Sequence, residues 1–398
     1  TFLSTLQELF SVGSVPGFID VLEFQNCSET DLKCHVPVDT TEEVVLMLYT
    51  SGTTGHPKAV EISHKAYVAS CLAAIASEIL TKNDVVLAWS PITHVSGLLV
   101  VACSLCLGAR LIIEEPLISY NDFLETLRVH QISAFLGVPE RMRQIVNEVK
   151  MSCRPTVGFK KILVSGTNIS KLLGMDICDL FGVESFVDIY GLTEACGFVS
   201  YTPVGKITYG NVGLPSAGTK VKVIDLMSGD PLGSNKKGEI VVQGLNIMKG
   251  YYGRPEATRD VLSKDGWFRT GDIGYYDDNG QIYVVDRLKQ MIKCMGNVVT
   301  SAELEEILMT HEAVLDAAVV GIPSSKYGEA PVACVVVREY REELLESLKE
   351  ELKELIAGQT SFHKHLHGGV VFMKSLPKSE NGKILRQELK SSVASMNM

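Results

Sequence analysis

The sequence predicts an α/β fold with a large first domain and a smaller α+β domain after it, because its pattern changes along the 398 residues. Between residues 83 and 170, short apolar clusters alternate with helix-like stretches, which is typical of a parallel sheet covered by helices. From residue 213 to 286, short β-rich runs separated by Gly and Asp turns indicate a small β subdomain. After Arg287, a compact mixture of strands and helices indicates a separate C-terminal domain.

Local patterns predict the individual elements. Apolar runs at residues 44–49 and 59–62 predict two short strands joined by a loop, and Ser63 can cap a helix that continues through Leu80. Further strands are predicted at residues 85–89, 109–113, 162–164, 186–189, 220–224, 238–242, 281–285, 317–321 and 332–337. Helices are predicted at residues 120–130, 140–150, 301–309 and 341–356, the last with its leucines on one face.

Composition restricts the class of protein. With 46% hydrophobic residues the chain can bury large cores, and its formal net charge of −10 gives no general attraction to nucleic acid or anionic membranes. The apolar run 98–107 is too short to span a bilayer, and no secretory signal is visible. The chain ends without the Ser-Lys-Leu peroxisomal signal, so we expect a cytoplasmic location. The cysteines lack framework spacing, which predicts reduced, mostly buried thiols.

The segment between the first two predicted strands has the composition of a phosphate-binding loop. It consists of Thr50, Ser51, Gly52, Thr53, Thr54, Gly55, His56, Pro57 and Lys58. Glycines let backbone N–H groups approach an anion, hydroxyls add short donors, and lysine supplies a positive charge. A Walker loop instead carries lysine directly after its second conserved glycine and opens a helix. The predicted ligand is a nucleoside triphosphate, and the alternative is a surface turn that binds nothing.

Two more polar segments follow predicted strands of the parallel sheet, at the edge where open α/β sheets bind ligands. They are Ser165, Gly166, Thr167 and Asn168, and then Tyr190, Gly191, Leu192, Thr193 and Glu194. In the second segment, Thr193 can donate to a phosphate, Glu194 can hold Mg²⁺ and Tyr190 can stack on a base. Taken alone, each segment also has the simpler interpretation of a turn or part of the core.

Polar segments continue towards the C-terminus. Asp272 is predicted to lie at a tight turn, where its carboxylate suits two vicinal ribose hydroxyls. Residues 285–293 offer a cluster of cations at the predicted domain junction. Lys383 lies in the polar loop 377–383, whose simpler interpretation is a solvated terminal loop.

Histidines provide weaker signals. His94 lies in an apolar stretch, where a histidine is more often a satisfied core residue than a functional one. His363, His365 and His367 alternate along the chain, but no acid or cysteine joins them nearby. We therefore predict a solvated strand or loop edge rather than a metal site.

Taken together, the motifs resemble those of the adenylate-forming (ANL) superfamily, which includes acyl-CoA synthetases, 4-coumarate-CoA ligases, carrier-charging adenylation domains and beetle luciferases. The resemblance extends from about residue 44 to 389 and is most specific in 51–58, 190–194 and the pairs Gly271-Asp272 and Asp286-Arg287. It implies a two-step reaction, in which a carboxylate attacks the α-phosphorus of MgATP and coenzyme A then takes the acyl group. The implied partners are therefore a small carboxylic acid, ATP, Mg²⁺ and coenzyme A.

The resemblance implies a role for each matching residue. The nucleotide-binding residues are Thr50, Ser51, Gly52, Thr53, Thr54, Gly55, Lys58, Tyr190, Gly191, Thr193, Asp272 and Arg287, with Glu194 on Mg²⁺. The substrate pocket is formed by His94, Ser165, Gly166, Thr167, Asn168 and Ala195. Lys383 serves adenylation, Lys293 serves the second half-reaction, and His94 also gates the pocket. The domains then comprise residues 1–286 and 290–398, and the C-terminal one moves about a hinge at 287–289 that contains Lys289.

The family normally carries more chain before the phosphate loop than the 48 residues that precede Tyr49 here, so we expect the first domain to be truncated at its start. Nothing in residues 93–97 or 195–199 selects an aryl ring, which favours fatty acids over aromatic acids. Two alternatives remain open. One is a luciferase-like oxygenase that uses the same site, and the other is a non-catalytic nucleotide-binding remnant.

Overall fold

A computed structural model of the chain describes residues 10–11, 16, 19–20, 39–50, 57–116, 118–152, 157–167, 169–378 and 384–396. Two compact units are present, Thr1–Asp39 and Thr40–Met398. In the first unit, strands β1 (Phe10–Ser11) and β2 (Ile19–Asp20) pair in parallel. The predictions for Ser51, Gly52, Thr53, Thr54, Gly55, Asn168 and Lys383 concern residues outside the described ranges.

The second unit begins with the predicted pair of strands. Strands β3 (Val44–Thr50) and β4 (Lys58–Ser63) are antiparallel, so the phosphate-loop segment joins strand to strand as predicted. The Ser63 hydroxyl accepts from the backbone N–H of Ala66 and caps helix α1 (His64–Ala76), which confirms the predicted cap. The helix stops before Leu80 because Glu78 takes a left-handed backbone conformation with φ 55°.

A seven-stranded sheet forms the centre of the large domain. Its strands are β5 (Val85–Ala88), β6 (Arg110–Ile113), β7 (Ala134–Gly137), β8 (Lys161–Ser165), β9 (Ser185–Tyr190), β10 (Ser200–Tyr201) and β11 (Leu214–Pro215), in the order β11-β10-β9-β8-β7-β5-β6. The helices between them are α2 (Val95–Leu107), α3 (Tyr120–His130), α4 (Pro139–Ser152) and α5 (Lys171–Phe181). Strands β5 to β9 pair in parallel, which confirms the predicted parallel sheet.

Alternating side chains of this sheet pack into two different cores. Along β8, Leu163 packs into the core that contains residues of α1 and α2, whereas Ile162 and Val164 pack into the core that contains residues of α3, α4 and α5. Successive side chains of a strand point to opposite faces, so helices cover both sides of the sheet. Because helices cover both faces, the polar segments of the sheet are expected at the edge formed by the carboxyl ends of its strands.

The β subdomain is a four-stranded antiparallel sheet in the order β12-β13-β15-β16. Its elements and their neighbours are β12 (Thr219–Ile224), β13 (Gly238–Gly244), β14 (Gly250–Tyr251), α6 (Pro255–Val261), β15 (Phe268–Tyr276) and β16 (Ile282–Arg287). The prediction that Asp272 lies at a tight turn is wrong, because Asp272 is inside β15. Gly271 has φ +71° there, and the pairing with β13 shifts register, so this glycine marks a bulge in a long strand.

The C-terminal part is α+β as predicted. It comprises β17 (Ile292–Cys294), β18 (Asn297–Val299), α7 (Ser301–Leu308), β19 (Val314–Ser324), β20 (Gly328–Val337), α8 (Leu345–Gln359), β21 (Gly369–Phe372) and α9 (Arg386–Met396). Helix α8 buries Leu348, Leu352 and Ile356, which confirms its amphipathic face, although its α-helical part begins at Leu345 after a 3-10 turn at Glu342–Leu344. Within the described residues, no helix has both the length and the apolar character needed to span a bilayer.

Most of the cysteines that the structure describes are buried, in agreement with the prediction. Cys71, Cys103 and Cys196 pack in the same core as α1 and α2, whereas Cys106 on α2 is exposed. Burial raises the pKa of Cys196 to about 12, so this thiol stays protonated at neutral pH.

Candidate functional site

The two polar segments that follow β8 and β9 lie next to each other. Val164 pairs with Asp188 and Ser165 with Ile189, so both strands end at the same edge of the sheet. Beyond β9, the residues Thr193–Ala195 form a short 3-10 turn. The segments that follow β8 and β9 therefore begin at the same edge of the sheet, as expected for the carboxyl edge of neighbouring parallel strands.

Asp272 is the centre of a buried polar cluster. The Tyr190 hydroxyl donates to Asp272 Oδ2 at 2.7 Å, and Arg287 Nε lies 3.1 Å from Oδ1. Asp272 is only 3% exposed, whereas the Arg287 side chain is 43% exposed. Among the contacts of the Asp272 carboxylate are therefore one neutral donor and one cation, which hold it in place as an acceptor.

Tyr190 is held as a neutral hydroxyl. Burial, followed by the negative charge of Asp272, raises its pKa well above the usual range, which keeps it a donor. Its ring packs in the core and is only 9% exposed. The stacking of this ring on a base stays a prediction. Nearby, burial raises the pKa of Asp188 to about 7.

A second cluster connects the end of the phosphate-loop segment to the predicted magnesium ligand. The Tyr251 hydroxyl donates to Glu194 Oε1 at 2.9 Å, and Lys58 Nζ lies 4.5 Å from the centre of the Tyr251 ring. Burial, and then the charge of Glu194, raises the pKa of Tyr251, so this hydroxyl also remains a donor. Strand β14 positions Tyr251 by pairing with β4. No local pattern in the sequence distinguishes Tyr251, so its place beside Glu194 could not be predicted.

The residues around Glu194 suit a hard cation that also binds phosphate. Mg²⁺ is usually held by one or two carboxylates together with substrate phosphates rather than by a protein cage. Glu194 provides one carboxylate, and Tyr251 fixes one of its oxygens. Within the described ranges, no group of three His, Cys, Asp or Glu side chains could hold a metal by itself. Glu194 is the described residue that would hold Mg²⁺ here, together with oxygens of a bound phosphate.

An apolar pocket of about 540 Å³, including its open mouth, lies between the helices α1 and α2 and the sheet. It is lined by Ala74, Ile79, Leu80, Ser96, Leu99, Val100, Cys103, Leu107, Leu136, Leu163, Ser165, Ile189, Gly197 and Phe198. None of these residues is charged. Ser165 is a predicted pocket residue in this wall, and Gly197 and Phe198 are additional ones that sequence analysis did not identify.

The other predicted pocket residues that the structure describes, His94, Gly166, Thr167 and Ala195, are not among the residues that line this cavity. His94 caps α2, where its Nδ1 lies 2.7 Å from the Ser96 hydroxyl and accepts from the Ser96 N–H, so it adjoins the pocket wall through that serine. Ala195 is fully buried in the core, and its carbonyl accepts from Asn246. Gly166 and Thr167 are exposed at the carboxyl edge.

The predicted hinge residue Lys289 and the predicted catalytic Lys293 are both exposed. Lys289 lies in the 3-10 turn Leu288–Gln290, and Lys293 lies on β17 with its backbone N–H donating to Glu329. Asp286, just before the turn, is buried and accepts from the backbone N–H groups of Arg287 and Ser301. Burial raises the pKa of Asp286.

The three alternating histidines lie in and just after the 3-10 turn Phe362–Lys364, where all three are partly exposed, and two of their rings also pack against neighbours. His367 stacks on Tyr327 with ring centres 4.3 Å apart, and its Nε2 lies 2.7 Å from the Phe362 carbonyl. His365 Nε2 lies 3.3 Å from the Thr360 carbonyl. Aromatic neighbours, which the alternating pattern does not reveal, contact the rings of His365 and His367.

The fold is that of the adenylate-forming enzymes, and comparison with known proteins shows the same family. The family model described as AMP-binding enzyme matches residues 11–252, and that described as AMP-binding enzyme C-terminal domain matches residues 303–383. The chain therefore belongs to the AMP-binding enzyme family.

Relatives within this family include ligases and luciferases. Rice (Oryza sativa subsp. japonica) 4-coumarate–CoA ligase 3 is 32% identical over 397 residues, covering 96% of this chain and 69% of the relative. Luciferin 4-monooxygenase of Nipponoluciola cruciata is 35% identical over 368 residues, covering 91% of this chain and 66% of the relative. The chain thus spans about two thirds of the length of these curated relatives.

A solved structure of similar fold contains a nucleotide and a metal. The o-succinylbenzoate CoA synthetase of Bacillus subtilis, in complex with ATP and magnesium ion, superposes with a TM-score of 0.80 at 26% identity. The alignment covers 94% of this chain and 75% of the Bacillus chain.

Proposed function

We propose that the protein activates a carboxylic acid with ATP to give an acyl-adenylate and then transfers the acyl group to coenzyme A. One observation carries this proposal. The apolar pocket reaches Ser165 and Ile189, and Ile189 directly precedes Tyr190, whose hydroxyl binds Asp272. An acid with an apolar tail in this pocket would present its carboxylate at the polar edge where Thr193 and Glu194 lie.

The first step would bring like charges together. A carboxylate oxygen attacks the α-phosphorus, an O–P bond forms, and pyrophosphate leaves with the electrons of the broken bond. The negative charges of the acid and the triphosphate repel each other, so positive groups and oriented donors must stabilise the transition state. We assign this role to Lys58, Thr193 and Lys383, while Glu194 shares Mg²⁺ with the phosphates and Asp272 and Arg287 hold the ribose.

The second step would use the same site. The coenzyme A thiolate attacks the acyl carbon, a C–S bond forms, the bond from that carbon to the phosphate oxygen breaks, and AMP leaves with its electrons. We propose that residues 1–286 and 290–398 act as two domains and that the turn at 287–289, including Lys289, is the hinge. Rotation there would move Lys383 away from the nucleotide site and bring to that site the face of the C-terminal domain that carries Lys293. The exposed position of both Lys289 and Lys293 supports this assignment.

We propose an alkyl chain as the acid's tail, which makes a fatty acid the favoured substrate. The lining side chains support this, because they are mainly aliphatic and Phe198 is their single aromatic member. ATP, Mg²⁺ and coenzyme A are the proposed co-substrates and cofactor, and the Bacillus complex with ATP and magnesium supports the first two.

Product analysis tests this function. The purified chain is incubated with MgATP, coenzyme A and a panel of alkyl and aryl acids, and AMP and thioester are quantified by chromatography. We expect both products in equal amounts, with alkyl acids preferred. ATP binding without turnover on any acid would instead identify a non-catalytic remnant.

A luciferase-like oxygenase is the second candidate, and the 35% identity to a luciferin 4-monooxygenase is the observation that favours it. Adenylation would be shared, and the acyl-adenylate would then react with oxygen instead of a thiol. Light emission with luciferin, ATP and oxygen distinguishes the two. Emission without any thioester product would replace the ligase proposal.

Narrowing the pocket should change the preferred acid. Val100 lines the cavity, so Val100→Phe is expected to raise KM for long-chain acids about tenfold more than for short ones, since overpacking costs about 1–3 kcal/mol. Val101 is the next residue of α2 and does not line the pocket, because consecutive residues of a helix lie on different faces. Val101→Phe is therefore the matched control. KM values over a chain-length series give the result, and an equal shift for all lengths would contradict this pocket assignment.

A further inference from the structure

A buried carboxylate contacts the bulge next to Asp272. Glu239, on β13, is only 2% exposed, and its Oε1 accepts the backbone N–H of Gly271 at 3.2 Å. Its Oε2 accepts from Arg269, whose Nε lies 2.9 Å away and whose Nη2 also donates to it. Arg269 is on β15, and its side chain is 48% exposed. This glutamate is therefore bonded to β15 at two positions that flank Thr270.

The bulge places three residues of β15, 270–272, opposite the single residue Ile240 of β13. The Ile240 carbonyl accepts the Thr270 hydroxyl at 2.7 Å, and that hydroxyl accepts the backbone N–H of Asp272 at 3.0 Å. Between them, Gly271 has φ +71°, in the region that favours glycine. Side-chain contacts therefore help to hold this part of the strand, in addition to the pairing of the backbones.

The bulge sets the direction of the Asp272 side chain. Successive side chains of a regular strand point to opposite faces, so an extra residue changes the face that the next side chain occupies. Asp272 accepts from the Tyr190 hydroxyl and pairs in register with Arg287 of β16. Because Asp272 directly follows Gly271, a change in the Gly271 backbone angles would move this carboxylate relative to both partners.

Stability alone does not require a glutamate at position 239. Removing a carboxylate from water is costly, and apolar side chains of similar volume often replace a buried ion pair without loss of stability. An apolar side chain, however, could not accept the Gly271 N–H that Glu239 accepts. The specific contribution of Glu239 is therefore an acceptor for the backbone of the bulge.

We propose that Glu239 is a positioning residue, which holds the Gly271 bulge so that Asp272 faces the ribose hydroxyls of bound ATP. This inference rests on the proposed function, in which Asp272 and Arg287 hold the ribose. Glu239 acts through Asp272, because it is buried and both of its carboxylate oxygens are bonded to β15. It therefore determines how strongly the site distinguishes nucleotides by their ribose hydroxyls.

Binding of two nucleotides to the full chain tests the inference. ATP and 2′,3′-dideoxy-ATP share the base and the triphosphate, so the ratio of their Kd values isolates the contacts to the ribose hydroxyls. The variant is Glu239→Gln, which keeps the size of the side chain but has a single acceptor oxygen for its two partners. Asp272→Asn is the reference for a weakened ribose contact. Isothermal titration calorimetry gives Kd, and the thermal midpoint Tm reports on the fold.

Asp84→Asn is the matched control for loss of a buried carboxylate. Asp84 pairs with Lys161 at 3.1 Å and accepts the backbone N–H of Thr81 at 2.8 Å, so it too joins a cation to the backbone. It precedes β5, at the opposite edge of the parallel sheet from the candidate site. Its replacement should lower Tm and leave the ratio of the two Kd values unchanged.

We expect the wild type to bind ATP about tenfold to hundredfold more tightly than the dideoxy nucleotide, because hydrogen bonds to a charged carboxylate are strong. Glu239→Gln should reduce this ratio about fivefold, at the low end of coupling between two sites, with little change in Kd for the dideoxy nucleotide. An unchanged ratio, or an equal loss of affinity for both nucleotides, would overturn the inference.

The wild type separates this inference from the proposed function. If it bound both nucleotides equally, the proposed ribose contact and the role of Glu239 would both be wrong. If it distinguished the nucleotides but turned over no acid, the proposed reaction would be wrong, and the Kd ratios would still decide for or against Glu239.

Discussion

Replacing Lys383 by alanine is expected to slow adenylation at least hundredfold and to leave thioester formation from supplied acyl-adenylate near the wild-type rate. In the first step the negatively charged carboxylate approaches the negatively charged α-phosphate, and the proposed role of Lys383 is to offset this repulsion. The second step has no such approach, so it should not depend on Lys383. Losing one preorganised donor for transition-state charge typically costs about 10²–10³ in kcat. Single-turnover measurement of each half-reaction gives the comparison.

The reverse split is expected for Lys293→Ala, which should impair the second half-reaction and spare the first. Lys293 is exposed on β17, so its removal leaves no buried charge uncompensated. Lys374→Ala serves as a control for loss of a lysine from the same domain and should affect neither step. If Lys383→Ala slowed both steps equally, the assignment of the two lysines to different half-reactions would be wrong.

Asp272→Asn should reduce kcat/KM for ATP by about tenfold to hundredfold, because a hydrogen bond to a charged group contributes about 1.5–3 kcal/mol. The substitution keeps the shape of the side chain but removes the charge that pairs with Arg287 and accepts from Tyr190. The proposed ribose contacts would weaken with it. KM for the acid should change little, because the acid pocket does not include Asp272. Steady-state kinetics with each substrate varied in turn measure both effects.

Asp84→Asn is the matched control for this change. Asp84 is also buried, pairs with Lys161 at 3.1 Å and accepts from the Ser133 hydroxyl, but it precedes β5 at the opposite edge of the sheet. Its replacement should lower the thermal midpoint while leaving kcat/KM for ATP near the wild-type value. If both variants lost kcat/KM for ATP equally, the loss would be due to reduced stability of the fold rather than to weaker binding of the ribose.

Much of the fold could be predicted because it depends on local patterns. The helix α3 (Tyr120–His130) coincides with the predicted helix, since its apolar periodicity is bounded by the Ser119 cap and the left-handed Gln131. Asp272 shows the limit of such patterns. A glycine before a polar residue suggests a turn, because glycine readily takes a positive φ. Gly271 does have a positive φ, but it produces a bulge inside a strand, because the neighbouring strands continue to pair on both sides of it.

Contacts that are distant in sequence could not be predicted. Tyr251 and Glu194 are 57 residues apart and Lys378 and Glu140 are 238 apart, and no periodicity links such pairs. The motif residues Tyr190 and Asp272 were identified individually, but their hydrogen bond follows only from the packing of the β subdomain against the sheet. The network that connects the candidate site residues is therefore a property of the tertiary structure.

Exchange of labelled pyrophosphate into ATP tests the central claim most directly, because it requires reversible formation of an acyl-adenylate. With the purified, folded chain, Mg²⁺ and ATP, we expect label to enter ATP only when a suitable carboxylic acid is present and to do so without coenzyme A. Absence of exchange with every alkyl and aryl acid tested, in a chain that binds ATP, would contradict the proposed adenylation.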